Sequence, residues 1–389
     1  MADKVKIAVI GLGNMGVPHV RDISTMDNLT LVGVCDTDKA KADNIAAQFK
    51  TTAYYDYKSL FDKSGVEAII IATPHYDHTI IAVEAFARGI HVLTEKPIAV
   101  HVNDAKKMIA AWEDAKKKNP KIIFCAMFMQ RTYGFWQKIK SLIDNGDLGK
   151  LMRATWIITD WYRTQQYYDS GGWRATWAGE GGGVLMNQCP HNLDLYQWFF
   201  GVPDRVTGFV TLGKYHNIEV EDEVTAYFEY KNGMVGHFLT TTAEAPGTNR
   251  LEIIGENGKL VYENGKMLFT QNRIPVFKHL KEAATGFDKP EAWNCEIPYK
   301  HHGQPGHRII IDNFANAILK GEKLLAPAEQ GINSVMMNNA IMLSSFEKKT
   351  IDLPMQGDAF EAKLKDLIKG SKFKKEVKGG GPVNMNSSF

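Results

Sequence analysis

The 389-residue sequence lacks any apolar run of the roughly 18 to 20 residues that a membrane-spanning helix requires. Its first residues, MADKVKIAVIG, also lack the long apolar core and cleavage site of a secretory signal. These two absences predict a cytoplasmic protein with no membrane partner.

Cysteine is scarce, and the four cysteines show no C-x-x-C spacing. This argues against a zinc site or a disulfide framework and favours a reducing compartment. An excess of one charge is also lacking, because 46 Lys and Arg residues nearly balance 44 Asp and Glu residues. The resulting net charge of +2 argues against nucleic acid as a partner. We therefore expect neither a metal site nor a nucleic-acid partner.

Short apolar runs alternate with helical stretches over the first 125 residues. The runs at 5–10, 29–35, 68–72 and 91–94 have the continuous apolar character of strands that are buried on both faces. Strands that alternate with helices of ten to fifteen residues form βαβ units with right-handed crossovers. Residues 1–125 are therefore predicted to be an α/β Rossmann domain, in which helices cover both faces of a doubly wound parallel sheet.

The following part of the chain, residues 126–370, is predicted to be an α+β domain for substrate binding and oligomerisation. Its strand-like runs are separated by short turns, which indicates a mostly antiparallel open sheet. They lie at 150–161, 206–212, 223–230, 234–242, 250–254 and, as a hairpin, 258–271, before helices at 306–319 and 329–345. A sheet with helices on only one face predicts a homodimer or homotetramer. Residues 371–389 form a basic, glycine-rich tail that is expected to be poorly ordered.

The first predicted strand runs directly into a glycine-rich turn that opens a helix. In this context the pattern G-x-G-x-x-G indicates a site for the pyrophosphate of a dinucleotide. Gly11 permits the tight turn, Gly13 lets the pyrophosphate approach the backbone, and Gly16 allows the helix to pack closely on the strand. The turn consists of Gly11, Leu12, Gly13, Asn14, Met15 and Gly16.

Asp36 lies at the end of the second predicted strand, twenty positions after Gly16. A carboxylate there can accept hydrogen bonds from both ribose hydroxyls and would repel a 2′-phosphate, which favours NAD over NADP. Asp36 could also be the N-cap of the next helix, and the two roles are compatible.

Two polar tripeptides follow the next two predicted strands, Thr73-Pro74-His75 and Glu95-Lys96-Pro97. Ligands of open α/β sheets bind beyond the carboxyl ends of the strands, so both tripeptides are placed to meet the nicotinamide end of the cofactor. By position alone, either could be an ordinary solvated loop.

A second motif, GEGGGVLMNQCPHNLDL, occupies residues 179–195. Its three consecutive glycines leave room for backbone to lie against a flat ligand. A helix is predicted to begin near Asn187, with Pro190 in its first turn. Asn187, His191 and Asp194 would then share one face of that helix. His191 is the side chain best suited to exchanging a proton near neutral pH.

These motifs, in this order, resemble the glucose–fructose oxidoreductase/inositol dehydrogenase/MocA family over nearly the whole chain. The matching segments are GLGNMG, ATPHYDH, EKP, the pair Gln130-Arg131 and GGGVLMNQCPHNLDL. The resemblance implies an NAD(P)-dependent oxidoreductase that acts on CH–OH groups. It implies further that Lys96 and His191 flank the substrate carbon beside the nicotinamide.

The sequence departs from the family pattern at Asn187, where an aspartate is common. An amide cannot take up a proton or carry negative charge, so an acid–base role at this position is in doubt. Asn187 could still hydrogen-bond a substrate hydroxyl, or it could cap a helix.

The chemistry expected of Lys96 and His191 is the removal of a hydroxyl proton while hydride leaves the carbinol carbon. A neutral His191 could accept that proton. Lys96 could stabilise the developing alkoxide or exchange the proton itself if burial lowers its pKa. The sequence leaves open which of the two is the base.

Aromatic residues crowd positions 161–177, directly before the second motif. Aromatic faces pack on the C–H faces of pyranose and cyclitol rings, and Arg can donate to several hydroxyls. The run therefore predicts a sugar, glycoside or cyclitol substrate, although it could instead be a packed hinge or a subunit contact. The two arginines could also indicate an acidic sugar or a sugar nucleotide. The run contains Trp161, Tyr162, Tyr167, Tyr168, Trp173 and Trp177, together with Arg163 and Arg174.

The predicted site combines these residues. The expected cofactor contacts are Gly11, Leu12, Gly13, Asn14, Met15, Gly16, Asp36, Thr73, Pro74, His75, His78, Glu95, Lys96 and Gln130. The expected substrate contacts are Lys96, Arg131, Trp161, Arg163, Trp173, Arg174, Asn187 and His191. Two alternatives stay open: an NAD-dependent glycosidase that uses transient oxidation, and a non-catalytic sensor that binds NAD and a partner protein.

Overall fold

The computed structural model describes residues 4–301 and 303–375 of the chain. The first domain is built from eleven elements in alternating order. These are β1 (Val5–Ile10), α1 (Gly16–Ile23), β2 (Leu29–Cys35), α2 (Lys39–Phe49), β3 (Ala53–Tyr54), α3 (Tyr57–Lys63), β4 (Ala68–Ile71), α4 (His75–Ala87), β5 (His91–Thr94), α5 (Val102–Lys118) and β6 (Phe124–Ala126).

The six strands of this domain form a parallel sheet in the order β3-β2-β1-β4-β5-β6, which confirms the predicted Rossmann fold. All four residues of β4 are buried, as expected of a strand with helices on both sides. Strands β2 and β3 lie on one side of β1, and strands β4, β5 and β6 lie on the other. The carboxyl ends of β1 and β4 therefore border the crevice where this fold binds ligands.

The second domain begins with a 3-10 helix at Met129–Thr132. Its further helices and strands are α6 (Gly134–Asp144), β7 (Leu151–Ile158), α7 (Gln165–Asp169), α8 (Val184–Asn187), α9 (Pro190–Phe200), β8 (Arg205–Leu212), β9 (Glu221–Glu229), β10 (Val235–Thr241), β11 (Asn249–Gly255), β12 (Gly258–Glu263), β13 (Lys266–Asn272), α10 (Val276–Glu282), β14 (Ala292–Glu296), α11 (His307–Lys320), a 3-10 helix (Ala328–Gln330), α12 (Gly331–Glu347), β15 (Ile351–Asp352) and α13 (Gly357–Gly370).

Nine strands of this domain form one sheet in the order β14-β13-β12-β11-β7-β10-β9-β8-β15. Neighbours are antiparallel except for β7 and β10, so the predicted mostly antiparallel sheet is confirmed. The predicted hairpin turn lies between β12 and β13, where Asn264 and Gly265 have φ of 49° and 73°. Alternate residues of β9 face α9, as the rings of Phe228 and Tyr196, 5.0 Å apart, illustrate.

The last helices return to the first domain. Asn103 in α5 donates a hydrogen bond of 2.7 Å to Asp358 in α13. Beyond α13, Lys375 donates to the backbone carbonyls of Tyr168 and Arg174, so residues 371–375 pack against the second domain. The rest of the predicted tail, residues 376–389, lies outside the described residues. Within the described ranges, no helix is both long and apolar enough to cross a membrane.

Candidate active site

A cavity of about 550 Å³ opens at the carboxyl ends of β1, β2, β4 and β5. The loop at 161–174 and the segment that joins α8 to α9 close its other side. Most of the predicted site residues line it: Gly11, Leu12, Gly13, Asn14, Met15, Asp36, Thr73, Pro74, His75, His78, Glu95, Lys96, Trp161, Arg163, Trp173, Arg174, Asn187 and His191. Gly16, Gln130 and Arg131 do not line it.

The glycine turn has the geometry that the sequence predicts. Gly11 has a φ of +92°, and a Cβ there would lie 2.5 Å from the carbonyl oxygen of Ala72. A Cβ on Gly16 would lie only 1.8 Å from the carbonyl oxygen of Gly11, so helix and strand could not pack with any larger residue. A Cβ on Gly13 would meet no atom within 4 Å, so its backbone is open to the cavity.

The Asp36 carboxylate lies beside the glycine turn. Its Oδ2 accepts the backbone N–H of Leu12 at 2.9 Å, and its Oδ1 accepts the backbone N–H of Asp38 at 2.9 Å. Asp38, not Asp36, is the N-cap of α2, because it accepts the backbone N–H of Lys41. The helix-cap interpretation of Asp36 is therefore wrong. These two hydrogen bonds hold its carboxylate beside the glycine turn.

Two further observations fit a dinucleotide at this end of the cavity. The helix α1 begins without a side-chain cap, so the backbone N–H of its first residue, Gly16, can receive a phosphate oxygen. The buried hydroxyl of Thr73 has no hydrogen-bond partner among the described residues. Buried polar groups are nearly always paired in folded proteins, so this one indicates a ligand contact.

Glu95 carries a negative charge next to the catalytic candidates. Its Oε1 lies 2.7 Å from Nε2 of His19, a residue that the sequence analysis missed although it lies one helical turn beyond Gly16. Burial opposes ionisation, but the hydrogen bond from His19 and the charges of His307 and Lys96 bring the pKa of Glu95 down to about 2. His307, which also lines the cavity, gave no signal in the sequence.

His75 and His78 connect the loops around the cavity. The ring of His78 lies 2.9 Å from the carbonyl oxygen of Pro97 and 3.0 Å from that of Thr73, so it joins two strand ends. His75 Nδ1 lies 3.1 Å from the backbone oxygen of Glu180, and burial lowers the pKa of His75 to about 3. Both rings hold the loops in place.

Lys96 is held by backbone from the second domain. Its Nζ donates to the carbonyl oxygen of Asn187 at 2.9 Å. Burial lowers the pKa of the Lys96 ammonium, and the charges of Arg174 and Arg163 act in the same direction against the opposing carboxylates. The amine is thus moved toward the range in which it can exchange a proton.

His191 lies in the first turn of α9 and is only 2% exposed. No described residue hydrogen-bonds to either of its ring nitrogens. Burial, helped by the charge of Lys96, holds the pKa of His191 well below its usual value, so the ring is neutral at pH 7. A neutral, unpaired imidazole in a cavity wall is suited to a polar ligand atom.

The helix around Asn187 differs from the prediction. Asn187 is the last residue of the short helix α8. The helix is interrupted at Gln188 and Cys189, and α9 begins at Pro190. Asn187 is therefore not the N-cap of a helix, and it shares no continuous helix face with His191. Its Nδ2 donates instead to Glu180, a buried carboxylate that the sequence analysis missed.

The three glycines before α8 contact protein rather than the cavity. A Cβ on Gly181 would lie 2.3 Å from Val100, and one on Gly183 would lie 2.0 Å from the carbonyl oxygen of Glu221. The expectation that they lie against a flat ligand is therefore wrong. Glu221 also accepts the backbone N–H groups of Gly183 and Leu185, which holds the start of α8.

Part of the aromatic run forms one wall of the cavity, the aromatic wall. Trp161, Tyr167 and Trp173 line it with Arg163 and Arg174, whereas Tyr162, Tyr168 and Trp177 do not. The guanidinium of Arg174 lies 4.6 Å from the ring centroid of Tyr167 and 4.8 Å from that of Trp173. Its Nη1 donates to the Tyr167 hydroxyl at 2.7 Å. Trp161 is fixed by a hydrogen bond of 3.2 Å to Asn192. The aromatic side chains of this wall are thus held by cation–π contacts and hydrogen bonds.

The side chains of Arg131 and Gln130 hydrogen-bond within the protein and do not line the cavity. Arg131, 2% exposed, pairs in a bidentate manner with Asp194 at 2.6 and 2.7 Å, and it donates to Gln330. Because its guanidinium is used in this buried network, the structure does not support the expected substrate contact. Gln130 accepts a hydrogen bond from Trp136 and does not reach the cavity.

The fold and the cavity together define a dinucleotide-dependent oxidoreductase. A Rossmann sheet provides the glycine turn and Asp36, and titratable side chains meet beyond its strand ends. Within the described ranges, no group of three or more His, Cys, Asp or Glu side chains could hold a metal ion.

Comparison with known proteins identifies the family. Residues 5–120 match the oxidoreductase family with NAD-binding Rossmann fold, and residues 136–261 match the GFO/IDH/MocA C-terminal domain. The chain belongs to the Gfo/Idh/MocA family of oxidoreductases and carries an NAD-binding Rossmann domain.

Named relatives of the chain are dehydrogenases. It is 25% identical over 271 residues to scyllo-inositol 2-dehydrogenase (NAD(+)) of Bacillus subtilis, a match that covers 67% of this chain and 74% of that protein. It is also 25% identical over 333 residues to levoglucosan dehydrogenase of Pseudarthrobacter phenanthrenivorans, covering 77% and 83%. The crystal structure of the WlbA dehydrogenase from Bordetella pertussis in complex with NADH and UDP-GlcNAcA superposes with a TM-score of 0.75 at 25% identity, covering 91% and 100%.

Proposed function

We propose that this oxidoreductase removes hydride from a ring secondary hydroxyl of a sugar, glycoside or cyclitol and transfers it to NAD. The observation that carries the proposal is one continuous cavity, in which the glycine turn and Asp36 lie at one end and Lys96 and His191 at the other. When bound, the nicotinamide accepts the hydride. The protein must orient the carbinol carbon and take up the hydroxyl proton.

We assign proton uptake to Lys96 and hydrogen bonding of the substrate oxygen to His191. The lowered pKa of Lys96 brings its amine closer to the operating pH, which suits a general base. His191 is neutral, but its pKa has moved away from the operating pH, so it is a weak base. As the C–H bond breaks, the O–H proton passes to the Lys96 amine and the carbonyl forms.

The aromatic side chains of the cavity support a ring polyol as substrate. The rings of Trp161, Tyr167 and Trp173 line the cavity, and aromatic faces pack well on the C–H faces of sugar and cyclitol rings. Relatives of this chain are named for scyllo-inositol and levoglucosan, which belong to these two compound classes. Arg163 and Arg174 supply donors for ring hydroxyls.

The test is an NAD-linked screen of the purified protein against inositols, hexoses, uronic acids and aryl glycosides. We expect stoichiometric NADH, followed at 340 nm, with at least one ring polyol. Release of the aglycone without net NADH would instead identify a glycosidase that oxidises its substrate transiently. Tight NADH binding without turnover of any compound would contradict the proposal and favour a sensor.

A further inference from the structure

Asn187 in the cavity wall is hydrogen-bonded to Glu180, a buried residue that does not line the cavity. Glu180 is 2% exposed, and its Oε1 accepts a hydrogen bond from Nδ2 of Asn187. Its Oε2 accepts the backbone N–H of Ala175. Burial raises the pKa of Glu180, although the charge of Arg174 and the hydrogen bonds from Asn187 and Ala175 oppose that shift. The amide nitrogen of Asn187 faces the carboxyl oxygen, which accepts its hydrogen bond. The orientation of the amide is thereby fixed.

Asn187 is fixed at its backbone as well, because its carbonyl oxygen accepts from Nζ of Lys96 at 2.9 Å. The side chain lines the cavity, and no described residue donates to its Oδ1. With the amide nitrogen turned toward Glu180, the group that Asn187 can offer to a ligand is a hydrogen-bond acceptor. A hydroxyl is the donor that a polyol would bring to it.

We infer that Glu180 is a positioning residue, which orients the Asn187 amide so that Oδ1 accepts a hydrogen bond from a substrate hydroxyl next to the one that Lys96 deprotonates. The inference rests on the proposed function and narrows its substrate class to vicinal diols. It also places a carboxyl group, that of Glu180, directly beside position 187, where this sequence has an amide.

The substrate side of the inference is tested with matched ligands. For the polyol that the wild-type protein oxidises best, methylation of the neighbouring hydroxyl removes the donor and leaves the reacting carbinol intact. We expect this ether to lose at least tenfold in kcat/KM, and Asn187→Ala to reduce that difference to less than threefold. An equal discrimination in wild type and Asn187→Ala would overturn the inference.

The role of Glu180 is tested by substitutions that exchange the carboxyl group of Glu180 and the amide group of Asn187. Glu180→Gln leaves one acceptor oxygen for the two donors, Asn187 Nδ2 and the N–H of Ala175, and Asn187→Asp places two carboxyl groups in contact, which cannot both ionise. Each should lower kcat/KM about 10- to 100-fold, the range for a hydrogen bond to a charged group. In Glu180→Gln/Asn187→Asp the introduced glutamine can donate to the introduced aspartate. We expect this double variant to be at least tenfold more active than either single variant.

Glu221→Gln is the matched control, because Glu221 is a buried carboxylate that holds the same segment without contacting the Asn187 side chain. Combined with Asn187→Asp, it should give no recovery. Strictly additive losses in the Glu180→Gln/Asn187→Asp variant, or equal recovery with Glu221→Gln, would overturn the inference.

The fold of each variant is checked by its melting temperature and by NADH binding. If Glu180→Gln does not fold, Glu180→Asp replaces it, since a side chain one methylene shorter keeps the carboxyl group but loses contact with the amide. Its kcat/KM should fall at least tenfold, and unchanged activity would overturn the inference. If the wild type turns over normally and the losses of kcat/KM in the single variants simply add in the double variant, this inference alone is contradicted. Absence of turnover in the wild type contradicts the proposed function.

Discussion

Lys96 and His191 both have lowered pKa values, yet the two shifts have opposite consequences for proton transfer. Burial moves the lysine toward neutral pH and moves the histidine away from it. If Lys96 is the base, kcat/KM for polyol oxidation must rise with pH as the ammonium loses its proton. The midpoint should lie below 10.5, the usual value for lysine. The profile is measured from pH 6 to 10 with saturating NAD.

Substitution separates the two residues. Lys96→Ala should lower kcat about 10²- to 10⁴-fold, the usual effect of losing general-base catalysis, and should abolish the rise with pH. His191→Ala should lower kcat but keep the rise. Both variants should bind NADH normally in a fluorescence titration, because the glycine turn and Asp36 are intact. A rise that disappears in His191→Ala and persists in Lys96→Ala would reverse the assignment.

Sequence reasoning at the residue scale succeeded where position along the chain fixes geometry. Lys96 follows a parallel strand directly, so its place at the cavity could be predicted. The hydrogen-bond partners of Arg131 and Glu180 could not be predicted, because they depend on residues far along the chain or on the interruption between two helices. Arg131 pairs with Asp194 in another helix, and Glu180 accepts a hydrogen bond from Asn187, the last residue of the short helix α8.

At the scale of elements, α8 depends on a carboxylate from a neighbouring strand. Glu221 in β9 accepts the N–H groups of Gly183 and Leu185, and burial raises its pKa from 4.5 to about 7. Between these two pH values the folded chain binds more protons than the unfolded chain. Stability must therefore fall as pH rises through this window, by up to about 3 kcal/mol.

The measurement is chemical denaturation of wild type and Glu221→Gln at pH 5 and pH 8. The variant should be less stable at both, since an amide offers one acceptor oxygen for two N–H groups. Its difference between the two pH values should nevertheless be smaller than that of the wild type, because the titrating group is gone. Identical pH dependence in the two proteins would show that Glu221 does not titrate in this range.

The elements that the sequence predicted well are those with strong periodicity. The buried strands β1, β2 and β5 were predicted to the residue, because a continuous apolar run between turns leaves little choice. The short or exposed elements β3 and α10 were missed, since two residues or an entirely unburied helix carry no pattern.

At the scale of the whole molecule, the cavity lies between two domains, and the chain passes from one domain to the other more than once. The Rossmann sheet supplies the cofactor end, and the second domain supplies the aromatic wall and α9. Helix α13 then packs against α5, so the C-terminal part of the chain returns to the first domain before residues 371–375 reach the second. The geometry of the site therefore depends on residues far from the motifs.

Residues 371–375 should accordingly support substrate binding. Ser371 donates to Glu219, and Lys375 donates to the carbonyl of Tyr168 and to that of Arg174 in the aromatic wall. A chain truncated after Gly370 loses these contacts and should show a KM for the polyol raised about three- to tenfold, since a few exposed hydrogen bonds contribute roughly 0.5–1.5 kcal/mol each. Its NADH affinity should not change, because the cofactor end lies elsewhere.

The matched control for this truncation is a chain that ends after Lys375. It keeps all the contacts between residues 371–375 and the aromatic wall, so its KM should equal that of the full chain. Lys375→Ala in the full chain should reproduce most of the effect of the longer truncation. If the two truncated chains have the same KM, the C-terminal residues do not hold the wall, and its position must depend on contacts within the wall, such as those of Arg174 with Tyr167 and Trp173.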